Sequence, residues 1–194
     1  MQIDEFLVYV DSSIIIVNKP SGLRTIPDGY QKNLPNLQTL LKEKFSSIFT
    51  IHRLDKETSG LIIFGRNKLS HRNLNIQFEQ KLIDKTYHAL VHNIPEWDVY
   101  TIDQPLLIDG DRKHRTVINP NGKSATTFLR KVEVNNDNHL SFLDIHPKTG
   151  YTHQIRSHLN HLGFPILGDQ LYSLNLSTNQ NQMNKSVSRM MLHA

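Results

Sequence analysis

The apolar residues of this chain come in short runs broken by turn signals, and the runs do not alternate regularly with helical segments. FLVYV and IIIVNKP flank the polar DSS, which predicts a hairpin near the N-terminus. GLIIFG at 60–65 is a glycine-bracketed apolar run and reads as a buried strand. TYHALVH alternates: Tyr87, Ala89 and Val91 share one strand face, and His88, Leu90 and His92 share the other, so His88 and His92 are expected to point outward. Further strands are expected over 101–108, 125–134 and 140–146, separated by the turn sequences DGDR, NPNGK and NNDN. Leu37, Leu40, Leu41 and Phe45 fall at helical spacing within 34–45, and 68–82 reads as a polar helix. SLNLSTNQNQMNKSVS, over 173–188, has almost no periodicity and predicts a mobile loop. The sum is an α+β chain built on a mixed, largely antiparallel sheet with flanking helices and loops, not a doubly wound fold.

A length of 194 residues suits one domain over 1–194. With 38% hydrophobic and 21% charged residues, neither a membrane-embedded nor a disordered chain is expected. The longest apolar runs, IIIV and LIIF, fall far short of the roughly 20 residues that span a bilayer. The start, MQIDEFLVYV, carries acids where a signal peptide needs cations. A cytoplasmic protein without a membrane partner is expected. The chain has no cysteine, which removes thiolate nucleophiles and Cys-ligated metals and fits a reducing compartment. Lys and Arg outnumber Asp and Glu by 22 to 18, and they cluster. Arg112, Lys113 and Arg115 share one expected loop, a surface that would attract a polyanion in a salt-dependent way. No glycine-rich phosphate loop is present.

Two segments concentrate reactive residues. HRLDKETSG, at 52–60, precedes the buried 60–65 run, so a rigid strand would present Asp55 at the sheet edge among His52, Arg53, Thr58 and Ser59. Its cations and hydroxyls favour the carboxylate form; the alternative is an acid that only closes a turn. In TGYTHQIRSHLNHLGFPILGD, at 149–169, Thr152 reads as an N-cap and Gly163 as the residue after the helix. Ile155, Leu159 and Leu162 then face the core, while His153, Arg156 and Asn160 share a polar side. A guanidinium held there is suited to fix a carboxylate or phosphate, and the plainer alternative is a solvated helix face. His158 and His161 lack a carboxylate partner in the helix or an HExxH pattern, so no metal is expected.

These stretches resemble the motifs of the RluA family of pseudouridine synthases. HRLDKETSG resembles its signature, DSSIIIVNKPSGL its first motif, KTYHALV its Lys-x-Tyr strand and TGYTHQIRSHLNHLGFPILGDQLY its C-terminal motif, in the family's order and over most of 6–172. The resemblance implies the pseudouridine synthase fold around a central cleft, and an RNA uridine isomerase acting on stem-loops of rRNA or tRNA, without a cofactor and as a monomer. It implies Asp55 as the nucleophile, Tyr87 as the ring that packs on the uracil and Arg156 as the partner of the aspartate. Arg53 would fill the gap left by the flipped uridine, Ile155 would wall the pocket and Lys85 would support the site. His52 and His153 fall inside the signatures as scaffolding and RNA contacts. The pattern departs at Tyr151, where the family has Arg, and the match at 112–115 is loose. Relatives continue past LHA with another strand and tail, so the chain is expected to lack the last piece of that domain, and it resembles members without an N-terminal RNA-binding domain.

Two other readings compete. A non-catalytic RNA-binding protein would use the same basic groove, and a glycoside hydrolase would need a second acid beside Asp55 at the right separation.

Overall fold

In the computed structural model the described residues are 2–31, 33–173 and 176–194. The chain divides into two compact units, one running to Ile83 and taking in His193–Ala194, the other Asp84–Leu192.

The first unit opens with the expected hairpin of β1 (Leu7–Val10) and β2 (Ile14–Lys19). Asp11 closes its turn, accepting the backbone N–H groups of Ser13 and Ile14, both at 2.7 Å. β2 pairs antiparallel with β4 (Gly60–Gly65) and β4 with β3 (Phe49–Thr50), giving the order β1-β2-β4-β3. Period-two alternation buries Ile15 and Val17 of β2 and Ile62 and Phe64 of β4. The helix α1 (Leu37–Lys44) buries Leu37 and Leu41; it starts later than its apolar spacing suggests because Asn36 caps it, accepting Thr39 N–H at 2.9 Å. α2 (Lys68–Glu79) is capped in the same way by Asn67. The chain end returns to β4, with Ala194 accepting from Leu61 N–H and donating to the Ser59 carbonyl, both at 2.9 Å.

The second unit holds a sheet in which β5 (Tyr87–His92), β10 (Leu140–Pro147), β9 (Thr126–Asn135) and β6 (Val99–Asp103) follow one another antiparallel, with Leu192 of β11 (Leu192–His193) at the β5 side. β7 (Leu106–Leu107) and β8 (Val117–Ile118) form a separate ribbon. Ala89, Val91, Leu129, Leu143 and Ile145 of the sheet pack with Ile155 and Leu159 of α3 (Gln154–His161). The α+β class and the largely antiparallel pairing therefore stand, carried by a four-stranded sheet, a five-stranded sheet and the two-stranded ribbon in place of one sheet.

Three local expectations are corrected. α3 is capped by His153, not Thr152, and His153 adopts the left-handed conformation (φ 55°, ψ 18°) with no side-chain cap. His92 does not face outward: it is fully buried, and its Nε2 donates to Asn184 Oδ1 at 2.8 Å. Within the stretch expected to be a loop, α4 (Thr178–Ser186) is a helix, while residues 174 and 175 lie outside the described residues. A reciprocal Ser177–Gln180 capping box and the buried Asn184 hold it, so no apolar stripe was needed and periodicity carried no signal. Among the described residues no helix is long and apolar enough to cross a membrane.

Candidate active site

In the first unit, Asp55 is half-buried on the loop that leads into β4, and the backbone on both sides of it is tied down. On the N-terminal side, the Thr25 hydroxyl donates to the Leu54 carbonyl at 2.8 Å and accepts from the Leu54 N–H at 3.2 Å. On the C-terminal side, the Lys56 carbonyl accepts from Gly22 N–H at 2.8 Å and Lys19 Nζ at 3.2 Å, and the Glu57 carbonyl accepts from the Ser21 hydroxyl at 2.7 Å. Leu54, Thr58 and Ser59 are buried. Such anchoring fixes the backbone from which the Asp55 side chain leaves the loop. His52, in the same loop, accepts Ile63 N–H at 3.2 Å and stacks on Phe78, so its ring is a scaffold between β4 and α2. Arg53 is exposed.

Lys19 is the most unusual group in this unit. The alternation that buries Ile15 and Val17 also buries Lys19, at 0% exposure, and its ammonium donates to the carbonyls of Pro20, Leu23 and Lys56 at 2.9, 2.8 and 3.2 Å. Burial pushes it down to about 8, against the opposing pull of Asp55 and Glu57. Lys19 thus knots the 19–23 turn to the Asp55 loop and sets a cation near that carboxylate.

In the second unit, Tyr87 opens β5, paired with Ile145 of β10, and its half-buried ring packs on the core cluster. Lys85, two residues before it, donates to the Thr149 carbonyl at 2.7 Å and so links β5 to the turn that precedes α3. Gln154 is buried and fixes that turn, accepting from Thr149 and Tyr151 and donating to Thr126 and Thr127. Ile155 is buried in the core. Arg156 is no solvated residue: it is 5% exposed and grips the buried Asp169 through Nε to Oδ2 at 2.7 Å and Nη2 to Oδ1 at 2.8 Å. Its guanidinium also lies over the Tyr172 ring, at 5.0 Å. His153 meets the Tyr172 hydroxyl through Nδ1 at 3.2 Å.

The basic loop is shaped by its own acids. Asp111 accepts the backbone N–H groups of Lys113 and Arg115 and the Arg115 Nε, the last at 2.7 Å. Arg112 and Lys113 are left exposed. The loop joins the α3 region where the Thr116 hydroxyl donates to the Thr152 carbonyl at 2.7 Å. The structure therefore gathers Lys85, His153, Arg156 and the 112–116 segment within the second unit, and His52, Arg53 and Asp55 within the first. His158 is buried between Thr127 and the Gln104 carbonyl. No group of three metal-ligating side chains occurs among the described residues.

Residues 13–161 match the RNA pseudouridylate synthase family. A dual-specificity RNA pseudouridine synthase RluA from Vibrio vulnificus is 36% identical over 171 residues, covering 86% of this chain and 68% of its own. The protein of the same name from Yersinia pestis is 34% identical over 189 residues, covering 97% and 88%. The chain belongs to the RNA pseudouridylate synthase family. The solved structure of human RNA pseudouridylate synthase domain containing 1 superposes with a TM-score of 0.82 at 28% identity, over 97% of this chain and 76% of that one. Isomerisation of uridine in RNA is the reaction that membership in this synthase family gives, ahead of the non-catalytic RNA-binding reading and of glycoside hydrolysis.

For a pseudouridine synthase, three residues bear on the site that sequence reasoning passed over. Lys19 had a signal, since it continues the buried face of β2. Asp169 and Tyr172 lie within the C-terminal motif, but their link to Arg156 spans the turn after α3 and leaves no mark in periodicity.

Proposed function

We propose that this synthase converts uridine to pseudouridine in stem-loops of rRNA or tRNA, with Asp55 as its nucleophile. The observation that carries the reading is the double anchoring of the Asp55 loop by Thr25 and Leu54 on one flank and by Gly22, Lys19 and Lys56 on the other. The bond from the ribose to the uracil nitrogen breaks, the base turns while held, and a carbon-carbon bond forms at carbon five. The proton lost from that carbon balances the one gained by the freed nitrogen, so no cofactor is consumed. Tyr87 stacks the base, Arg156, held by Asp169, is the guanidinium of the site, and Arg53 fills the helix vacated by the flipped nucleotide. Arg112 and Lys113 supply phosphate contacts, which makes binding salt-dependent. Residues 1–194 are read as a single catalytic domain, in a cytoplasmic monomer. The RluA relatives named as dual-specificity enzymes support more than one RNA target.

The test is pseudouridine mapping of total RNA from cells lacking the gene, complemented with the wild type or with Asp55→Asn. Restoration of a site by wild type alone is the expected result. Restoration by Asp55→Asn would remove Asp55 from the chemistry. Size-exclusion chromatography with light scattering checks the monomer.

A further inference from the structure

Tyr172 links Arg156 to the end of the basic loop within the second unit. Its ring lies under two guanidinium groups, that of Arg156 at 5.0 Å and that of Arg115 at 5.8 Å. Its hydroxyl accepts the Thr116 N–H at 2.9 Å and donates to the Thr116 carbonyl at 3.1 Å, so it is clamped on the last residue of the basic loop. Its own N–H donates to Asp169 Oδ1 at 3.1 Å, on the same carboxylate that grips Arg156. The ring is 3% exposed, and burial pushes the phenol up to about 12, which keeps the donating proton in place at any working pH. Arg115, by contrast with its loop neighbours, is committed: its guanidinium is held by Asp111 at 2.7 Å and rests on this ring.

We propose that Tyr172 is a positioning residue that fixes the register between the RNA-contacting 112–116 loop and Arg156, with Arg115 serving as its packing partner instead of an RNA contact. The hydroxyl sets the loop, and the ring sets the guanidinium. Free cations on a loop contribute to RNA affinity only if the loop is held where phosphates pass, and a buried two-way bond to its end achieves that. This rests on the reading of the 112–116 loop as an RNA contact and of Arg156 as part of the site.

The two functions of Tyr172 separate under substitution. Tyr172→Phe keeps the ring and drops the bonds to Thr116 together with the contact to His153 Nδ1; KM for a pool of unmodified tRNA transcripts and rRNA fragments is expected to rise about five- to tenfold, with a much smaller fall in kcat. Tyr172→Leu removes the ring as well, and kcat falls further than in the phenylalanine variant. The decisive reading is the Arg112→Ala effect in each background. In the wild type, this substitution lowers the salt slope of tRNA binding by roughly 0.7 to 0.9 of a counterion. In Tyr172→Phe it lowers the slope by clearly less, because the loop is no longer registered. A merely structural tyrosine would shift the melting temperature and leave the Arg112 effect the same in both backgrounds, and that result would overturn the proposal, as would an unchanged KM in Tyr172→Phe. Failure of the underlying reading looks different: the wild type itself would form no pseudouridine, or Arg112→Ala would leave its salt slope unchanged.

Discussion

Arg156 and Asp169 meet as a two-bond fork, Nε to Oδ2 at 2.7 Å and Nη2 to Oδ1 at 2.8 Å, with the two side chains only 6% and 1% exposed. A pair this deeply buried is costly to break from one side, because the survivor remains as an uncompensated charge. Asp169→Asn is therefore expected to lower unfolding stability by about 3–5 kcal/mol and to reduce pseudouridine formation together with it. Urea unfolding followed by tryptophan fluorescence reads the first, and nucleoside analysis of treated RNA reads the second. Arg156→Lys discriminates further: a point charge cannot reproduce the fork, so conserving the charge is expected to restore little of either.

Thr25 acts on the other unit. It is 3% exposed, and its hydroxyl meets both backbone polar groups of Leu54, the residue before Asp55. Thr25→Val keeps the shape and leaves that N–H and carbonyl buried without this partner, at a cost of about 1–3 kcal/mol for each group left unsatisfied. Activity is expected to fall by more than the lost folded fraction accounts for, since the loop that carries the carboxylate is the part released. Thr25→Ser, which restores the hydroxyl, is expected to recover most of the rate. Equal activity in valine and serine variants would show that the Asp55 loop does not depend on this clamp.

Much of this arrangement is written in the sequence, and the limits of that legibility are physical. Turn signals and apolar runs located the β1–β2 hairpin and β4, and alternation located β5; β2, β4 and β5 each bury alternate residues. The same rule sent His92 to the wrong side, since at the end of β5 the second face is also covered, by Asn184 of a helix with no apolar stripe. Composition drew attention to Asp55 and Arg156 but could not supply the acid that holds Arg156, because a salt bridge closed across a turn leaves no periodic trace. His153 was missed as a cap for a related reason: its left-handed backbone is fixed by its surroundings, and its own side chain makes no cap bond.

Lys19 gives the protein a pH signature on the alkaline side. Its ammonium is pushed down to about 8 by burial, whereas the unfolded chain holds the same proton to the ordinary value of 10.5. Between these values the unfolded state binds more protons than the folded one, so this group makes stability rise with pH from about 8 to 10.5, by an amount on the order of 3 kcal/mol. Below pH 8 both states are protonated and the cost of burying the charge is carried in full. Unfolding free energies measured from pH 7 to pH 10.5 are expected to contain this rising component in the wild type and to lack it in Lys19→Met. The variant also leaves the carbonyls of Pro20, Leu23 and Lys56 without this donor, so its stability at pH 7 tests whether the three bonds outweigh the desolvation they offset.

Gly168 stands next to Asp169 and ties the Arg156 site to α4. Its N–H donates to Asn184 Oδ1 at 2.7 Å, its φ is +82°, and a Cβ there would sit 2.3 Å from the Arg189 carbonyl oxygen. Gly163, after α3, has nearly the same φ of +84° with nothing within 4 Å of its Cβ position. The pair separates backbone conformation from close approach. Gly163→Ala is expected to cost only the left-handed penalty, about 1–2 kcal/mol, and to leave activity in step with the folded fraction. Gly168→Ala carries the same penalty and must also push the backbone at Arg189 away, which moves the segment bearing Asp169. A larger fall in melting temperature than in Gly163→Ala is expected, with a loss of pseudouridine formation that persists at temperatures where the variant is fully folded. Matching melting temperatures in the two variants would mean that the chain yields at Arg189 without strain, and that Gly168 is required for its backbone conformation alone.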